Sequence, residues 1–189
     1  MPVLTEHHLR QLEAARLTGR KIGRAVAIAR FDGWSIATVA ALTLLFGFTS
    51  VSGVLLAAGL GVVAFFELRG AAALRRLDPS APRFMGVNQI ALASLLIVYC
   101  FWRIYVTLTG PGVYAEAAAT DPALAKALAP IENLTRLVTL AANAGMIVVS
   151  LFAQGGLAAY YFSRVKHIQA YLAQTPAWVV AVQKSGSTF

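Results

Sequence analysis

The chain has 189 residues, of which 58% are hydrophobic and 13% charged, with a net charge of +8 and a mean hydropathy of +0.68. Soluble domains carry about 25% charged residues, and one soluble core of this size cannot bury so much apolar surface. These figures exclude a soluble enzyme, a disordered tail and a secreted disulfide scaffold, and they predict an all-α integral membrane four-helix bundle with helices flanking it at both termini.

Residues 1–32 predict a basic amphipathic helix. At 100° per residue Glu6, Arg10, Glu13, Arg16, Arg20, Lys21 and Arg24 fall within an arc of about 140°, and Leu12, Ala15, Ile22, Ala25 and Val26 lie opposite. Leu9, Leu17, Ile28 and Arg30 break the pattern. A helix of this kind beside a first span lies in the membrane interface or packs, solvated, on the cytoplasmic ends of the bundle. Its charged stretch is too long for a signal peptide and contains acids.

Gly33 to Phe66 contains no Asp, Glu, Lys or Arg. A single helix of that length would reach about 51 Å against a hydrocarbon core of about 30 Å. It must fold back, and the small polar cluster Thr49-Ser50-Val51-Ser52-Gly53 is the expected break. Spans at about 34–49 and 52–68 follow. Residues 67–83 form a link in which Asp78-Pro79 and Ala81-Pro82 end any helix continuing from the second span. Glu67, at the inner boundary, is expected to pair with Arg69 or Arg83.

A third span covers about 86–109 and stops at Gly110-Pro111-Gly112. Residues 111–133 form an external loop. Within it DPALAKALAP (121–130) predicts one short helix, with Asp121 as N-cap, Pro122 at the first helical position and Pro130 as the stop. The fourth span covers about 137–163 and continues as helix past Arg164, Lys166 and His167 to about Gln174, where Thr175-Pro176 breaks it. In the 175–189 tail, AWVVAVQK has a Trp-bearing apolar face suited to the interface. Trp34, Phe65, Phe66, Tyr160 and Tyr161 mark the inner boundary, and Trp102 and Tyr105 the outer one.

Thirteen of the sixteen Lys and Arg residues precede the first span, lie between the second and third, or follow the fourth. An excess in alternate loops is the positive-inside pattern, so both termini are expected in the cytoplasm. It argues against a nucleic-acid partner. Twelve Arg against four Lys, with abundant Ala, suggests a GC-rich bacterial genome and hence an inner membrane.

Small residues recur every four positions as Gly53, Ala57 and Gly61, as Ala141 and Gly145, and as Gly155 and Ala159. They suit either an oligomer seam or, the expected case, contact within one bundle. The fourth span also carries a polar stripe: Glu132, Arg136, Thr139, Ser150, Gln154 and Tyr161 all lie within about 40° of Asn143 on the wheel. The third has a patchier one of Asn88, Gln89, Tyr99, Arg103 and Thr107. At 1.5 Å per residue Arg103 and Asn143 both sit about 8–9 Å below the outer boundary. The two stripes are therefore expected to face one another, with Arg103 near Thr139 or Asn143, and Gln154 near Asn88 and Gln89. Arg103 is then an anion-attracting charge in a water-filled vestibule, or a snorkelling side chain that reaches headgroups or Glu132. The stripe itself serves as hydrogen-bonding glue or as a permeation path.

Chemistry-bearing motifs are sparse. His7, His8 and His167 lie outside the spans, which leaves no haem ligand pair. No zinc spacing, phosphate loop or GxSxG occurs, Cys100 has no partner cysteine, and no span carries paired carboxylates for a protease or a proton relay. No catalytic, metal or cofactor-binding residue is expected. The reading is a non-enzymatic structural or accessory subunit whose partners are the bilayer and a second copy or another membrane protein. The alternative is a homo-oligomeric channel or small-solute or ion transporter, with Asn88, Gln89, Tyr99, Arg103, Thr107, Thr139, Asn143, Ser150 and Gln154 along its path.

Overall fold

In a computed structural model, residues 5–115, 119 and 122–184 are described. The described elements are helices: α1 Glu6–Gly47, α2 Val51–Arg75, α3 Ala81–Thr109, α4 Pro122–Gln174 and α5 Ala177–Lys184. The first four are long and apolar enough to cross a membrane, which is compatible with a membrane protein.

Helix α1 joins the basic segment to the first apolar run without a break. No proline falls within it, and an isolated glycine costs only about 1 kcal/mol in a helix interior. At its start the Thr5 backbone N–H donates to His8 Nδ1 at 3.3 Å. It stops where the small polar cluster begins. Ser50, in extended conformation, caps α2 by accepting the Gly53 N–H at 3.0 Å. Gly53 lies directly against the Gly47 backbone, so a Cβ there would strike the Gly47 carbonyl oxygen and Cα. Glycine is required by that close approach.

The end of α2 is closed by Leu77, a non-glycine residue at φ 58°. Left-handed backbone is costly for such a residue. Here the Asp78 N–H returns to the Ala73 carbonyl at 3.1 Å, as in a helix-terminating motif, and the Leu77 side chain is buried in the core. Asp78 Oδ1 then accepts both the N–H and the hydroxyl of Ser80, at 2.9 and 2.7 Å, and leads into α3. Helix α3 begins at Ala81 rather than near 86. Pro82 falls in its first turn, where a missing N–H has no cost.

Pro130, expected to stop a short helix, instead lies inside α4. A ring at this position removes one backbone donor; the Ala- and Leu-rich turns on either side carry the helix through. After the Thr175-Pro176 break, Val179 and Val180 return to the Pro176 carbonyl and start α5.

By its packing the chain divides into two units, residues 1–92 with 156–189, and residues 93–155. In the first, α1 buries Ala15, Ile22, Ala25, Ala29, Gly33, Ile36 and Ala40. This is a stripe at three-, four- and seven-residue spacing, which is one face of a helix. Its small side chains admit close neighbours. Ala71, Leu74, Leu77, Ala81, Met85, Tyr161, Ile168, Tyr171 and Val179 complete this core. Arg10, Arg16, Arg20, Lys21 and Arg24 are exposed. In the second unit only Cys100 and Ser150 are buried among the described residues, while Val98, Phe101, Val149 and Phe152 are exposed.

Candidate functional site: a buried carboxylate–carboxamide cluster

The first unit brings polar groups from four helices together in its interior. Helix α2 buries Leu60, Val63, Ala64, Gly70, Ala71 and Leu74, and Glu67 takes the core position between them with 0% exposure. Helix α3 buries Ala81, Met85 and Leu92 on the face that also carries Asn88 (7% exposed) and Gln89 (0%). Asp32 of α1 is half-buried, and Tyr161 of α4 is fully buried.

The contacts are specific. The Asn88 amide Nδ2 donates to Glu67 Oε2 at 2.7 Å and to the Val63 carbonyl at 3.1 Å, spanning one turn of α2. The Gln89 amide Nε2 donates to Asp32 Oδ2. Each carboxylate thus receives one neutral amide donor. The two carboxylates interact electrostatically, and the Tyr161 hydroxyl adjoins Glu67 without meeting hydrogen-bond geometry. Glu67 Oε1, Gln89 Oε1 and the Tyr161 hydroxyl are buried without a partner.

This corrects one expectation and limits another. Glu67 does not pair with Arg69 or Arg83, which are exposed; the single ion pair among the described residues is Glu6–Arg10 at 3.8 Å. No single span carries two carboxylates, as expected, but this does not keep acids apart, because Asp32 of α1 and Glu67 of α2 lie within electrostatic reach of one another between helices. Burying a carboxylate without a cation is expensive, so this arrangement is unlike ordinary apolar packing. Asp32, Glu67 and Asn88 all stand at the ends of apolar runs, at one level but with nothing in the sequence to show that they face inward.

The second unit holds Arg103. Its half-buried side chain lines a cavity of about 130 Å³ with Thr107, Glu132, Thr135, Arg136 and Thr139. Of the two neighbours expected for Arg103, Thr139 lines the same cavity and Asn143, which shares its depth, does not. Glu132 holds the loop that follows α3. Its carboxylate accepts the backbone N–H groups of Val113 and Tyr114 at 3.2 and 3.1 Å, and Gly112 lies directly against it, so a Cβ there would push the carboxylate aside. Arg136 Nε donates to the Thr107 carbonyl at 2.9 Å. The Thr107 hydroxyl in turn donates to the Arg103 carbonyl at 2.8 Å.

The rest of the stripe is less engaged. Asn143 and Thr139 donate within their own helix, to the carbonyls of Thr139 and Thr135, each at 2.8 Å. Tyr99 is half-buried. Ser150 Oγ and Gln154 Oε1 are buried without partners. Asn88 and Gln89 give their amide groups to α2 and α1, and not to Gln154. Of the small-residue repeats, Gly53 meets the α1 backbone, whereas Gly61, Gly145 and Gly155 meet open space. The contact expected of those three within the bundle is not made.

The chain matches no protein-family model, and no curated protein or solved structure matches it.

Proposed function

We propose that the chain is a non-enzymatic accessory subunit of a bacterial inner membrane, with both termini cytoplasmic, which presents a rigid basic platform to partner proteins. The supporting observation is how the two ends of the chain are joined beyond the apolar runs. Trp178 Nε1 donates to Gln11 Oε1 at 2.9 Å across 167 positions, the His8 ring meets Trp178 edge-on at 5.2 Å, and Tyr171 donates to Gln183 at 2.9 Å. Such a clamp does nothing for spanning a bilayer. It holds the exposed arginine face of α1 in one orientation, which suits recognition of an acidic surface.

A photo-crosslinking residue at Arg16 or Arg20, in whole cells, tests this reading. A discrete protein adduct, reduced when Trp178→Ala loosens the clamp, is expected. Adducts at Phe152 that match those at Arg16 would overturn it.

A second reading, transport of a proton or small cation, is favoured by the buried Asp32–Glu67 cluster. Reconstituted vesicles provide the check: the reading requires flux in the wild type that Glu67→Gln and Asp32→Asn each sharply reduce, since intramembrane acids mark ion pathways. Vesicles without flux would leave the accessory role alone.

A further inference from the structure

One cavity of the first unit lies apart from the acidic cluster. It has a volume of about 700 Å³ and is lined by Arg30 and Trp34 of α1, Leu68 and Arg75 of α2, Arg76 just after α2, and Lys184 of α5. We propose that this groove binds the headgroup of an anionic phospholipid.

Charge is the first argument. Among the described residues four cations line the groove and no acidic residue does. None of the four makes an ion pair, the described residues holding only Glu6–Arg10. Lys184 also lies within electrostatic reach of Asp78. Like charges gathered around one space repel, and an anion relieves them. The carbonyl ends of α2 and α5 close this region too; their dipoles favour the cations but fall well short of neutralising them.

The second argument is position. Trp34 and Leu68 mark where the apolar runs of α1 and α2 give way to charged residues. The groove therefore has a cationic wall and an apolar wall at the level where headgroup meets chain. Basic pockets between helices at that level bind phospholipid headgroups. Its volume is that of sites for organic ligands, about 300–1,000 Å³, far larger than a free phosphate requires.

The third is construction. Gln183 also lines the groove, and the Tyr171 hydroxyl fixes it at 2.9 Å, so the helix that carries Lys184 is held in place. Gly33 allows α1 to approach α2 beside the groove, since a Cβ there would lie 2.9 Å from Leu68 Cδ2.

Native mass spectrometry of the full chain in a zwitterionic detergent tests the proposal. The probes are dioleoylphosphatidylglycerol, dioleoylphosphatidylcholine and inorganic phosphate. Phosphatidylglycerol adducts are expected to dominate over phosphatidylcholine. The R30Q/R75Q/R76Q variant is expected to bind phosphatidylglycerol about a hundredfold more weakly. The R10Q/R16Q/R20Q variant, which loses as many charges from the exposed face of α1, should stay within about twofold. Circular dichroism checks the fold, and R76Q alone, with an expected loss of about fivefold, decides the matter if the triple variant unfolds. Equal loss in both triple variants, equal binding of phosphatidylcholine, or displacement of the lipid by equimolar phosphate would overturn the proposal.

Discussion

Residues 1–92 with 156–189 and residues 93–155 use the same alanines, valines, leucines and glycines, yet they bury them differently. In the first unit the small residues Ala25, Ala29, Gly53, Ala57, Gly70 and Ala71 are buried, so backbones approach and large side chains such as Tyr161, Met85 and Leu74 are enclosed. In the second, Gly145 faces open space, and Phe152 is 79% exposed. Composition does not separate the two. What separates them is whether the small residues fall on the face that meets a neighbouring helix. Both units leave large apolar side chains exposed, Phe46 of the first at 80% as much as Phe152 of the second, but only the first also encloses an extended core of its own.

The sharpest way to break this contrast is a pair of truncations. Tyr161→Ala is expected to destabilise the fold by about 3–5 kcal/mol, whereas Phe152→Ala should stay within about 0.5 kcal/mol. Unfolding of both variants in one detergent measures the difference, and similar costs would mean that the units are not distinct. Next comes the polar interior. Gln89→Leu leaves Asp32 without its amide donor and should cost about 1–3 kcal/mol by the same measurement. An unchanged midpoint would show that the cluster contributes nothing to the first unit.

In the second unit, Arg136→Met keeps the aliphatic stem but removes the bond to the Thr107 carbonyl. A loss of about 1 kcal/mol is expected, with faster hydrogen exchange confined to residues around 107. The smallest effect lies in the link. Two hydrogen bonds from Ser80 hold the Asp78 carboxyl below its ordinary value of 3.8. A group lowered on folding adds stability above its unfolded pKa and loses it as pH falls through the folded one. Ser80→Ala removes the hydroxyl bond and keeps the backbone one, so a small loss of stability is expected at neutral pH, shrinking to nothing as the pH falls below about 4; unfolding curves at pH 7 and pH 3 check it.

Much of the architecture was legible in the sequence because it follows from charge-free length and local punctuation. Thr49–Gly53 marked the hairpin, Thr175-Pro176 marked the break, and AWVVAVQK is α5. Pro130 misled, since one missing donor does not end a helix that is otherwise well supplied. The site was legible only in part. Asn88 and Gln89 stood out as polar residues in an apolar run, but wheel angles compare residues along one helix. Asp32 and Glu67 sit on α1 and α2, just where charges resume, and read as boundary residues. Only packing between helices reveals that they face inward. Depth matched Arg103 with Asn143, one turn of α4 away from the Thr139 that shares its cavity, whereas the Glu132 carboxylate's role in holding the Val113–Tyr114 backbone depends on loop conformation that has no sequence period.

The clamp between Gln11 and Trp178 also has a consequence in time. Chains are made from the N-terminus at about 5–20 residues per second, so α1 waits roughly ten to thirty seconds before α5 exists to cover it. Through that interval Ala15, Ile22 and Ala25 have no partner from the end of the chain, and the nascent helix must be sheltered by the membrane surface or by a chaperone. The interior of the first unit is the last part to close, and a ribosome that stalls before Ala177 leaves a molecule with all four apolar helices and no lock.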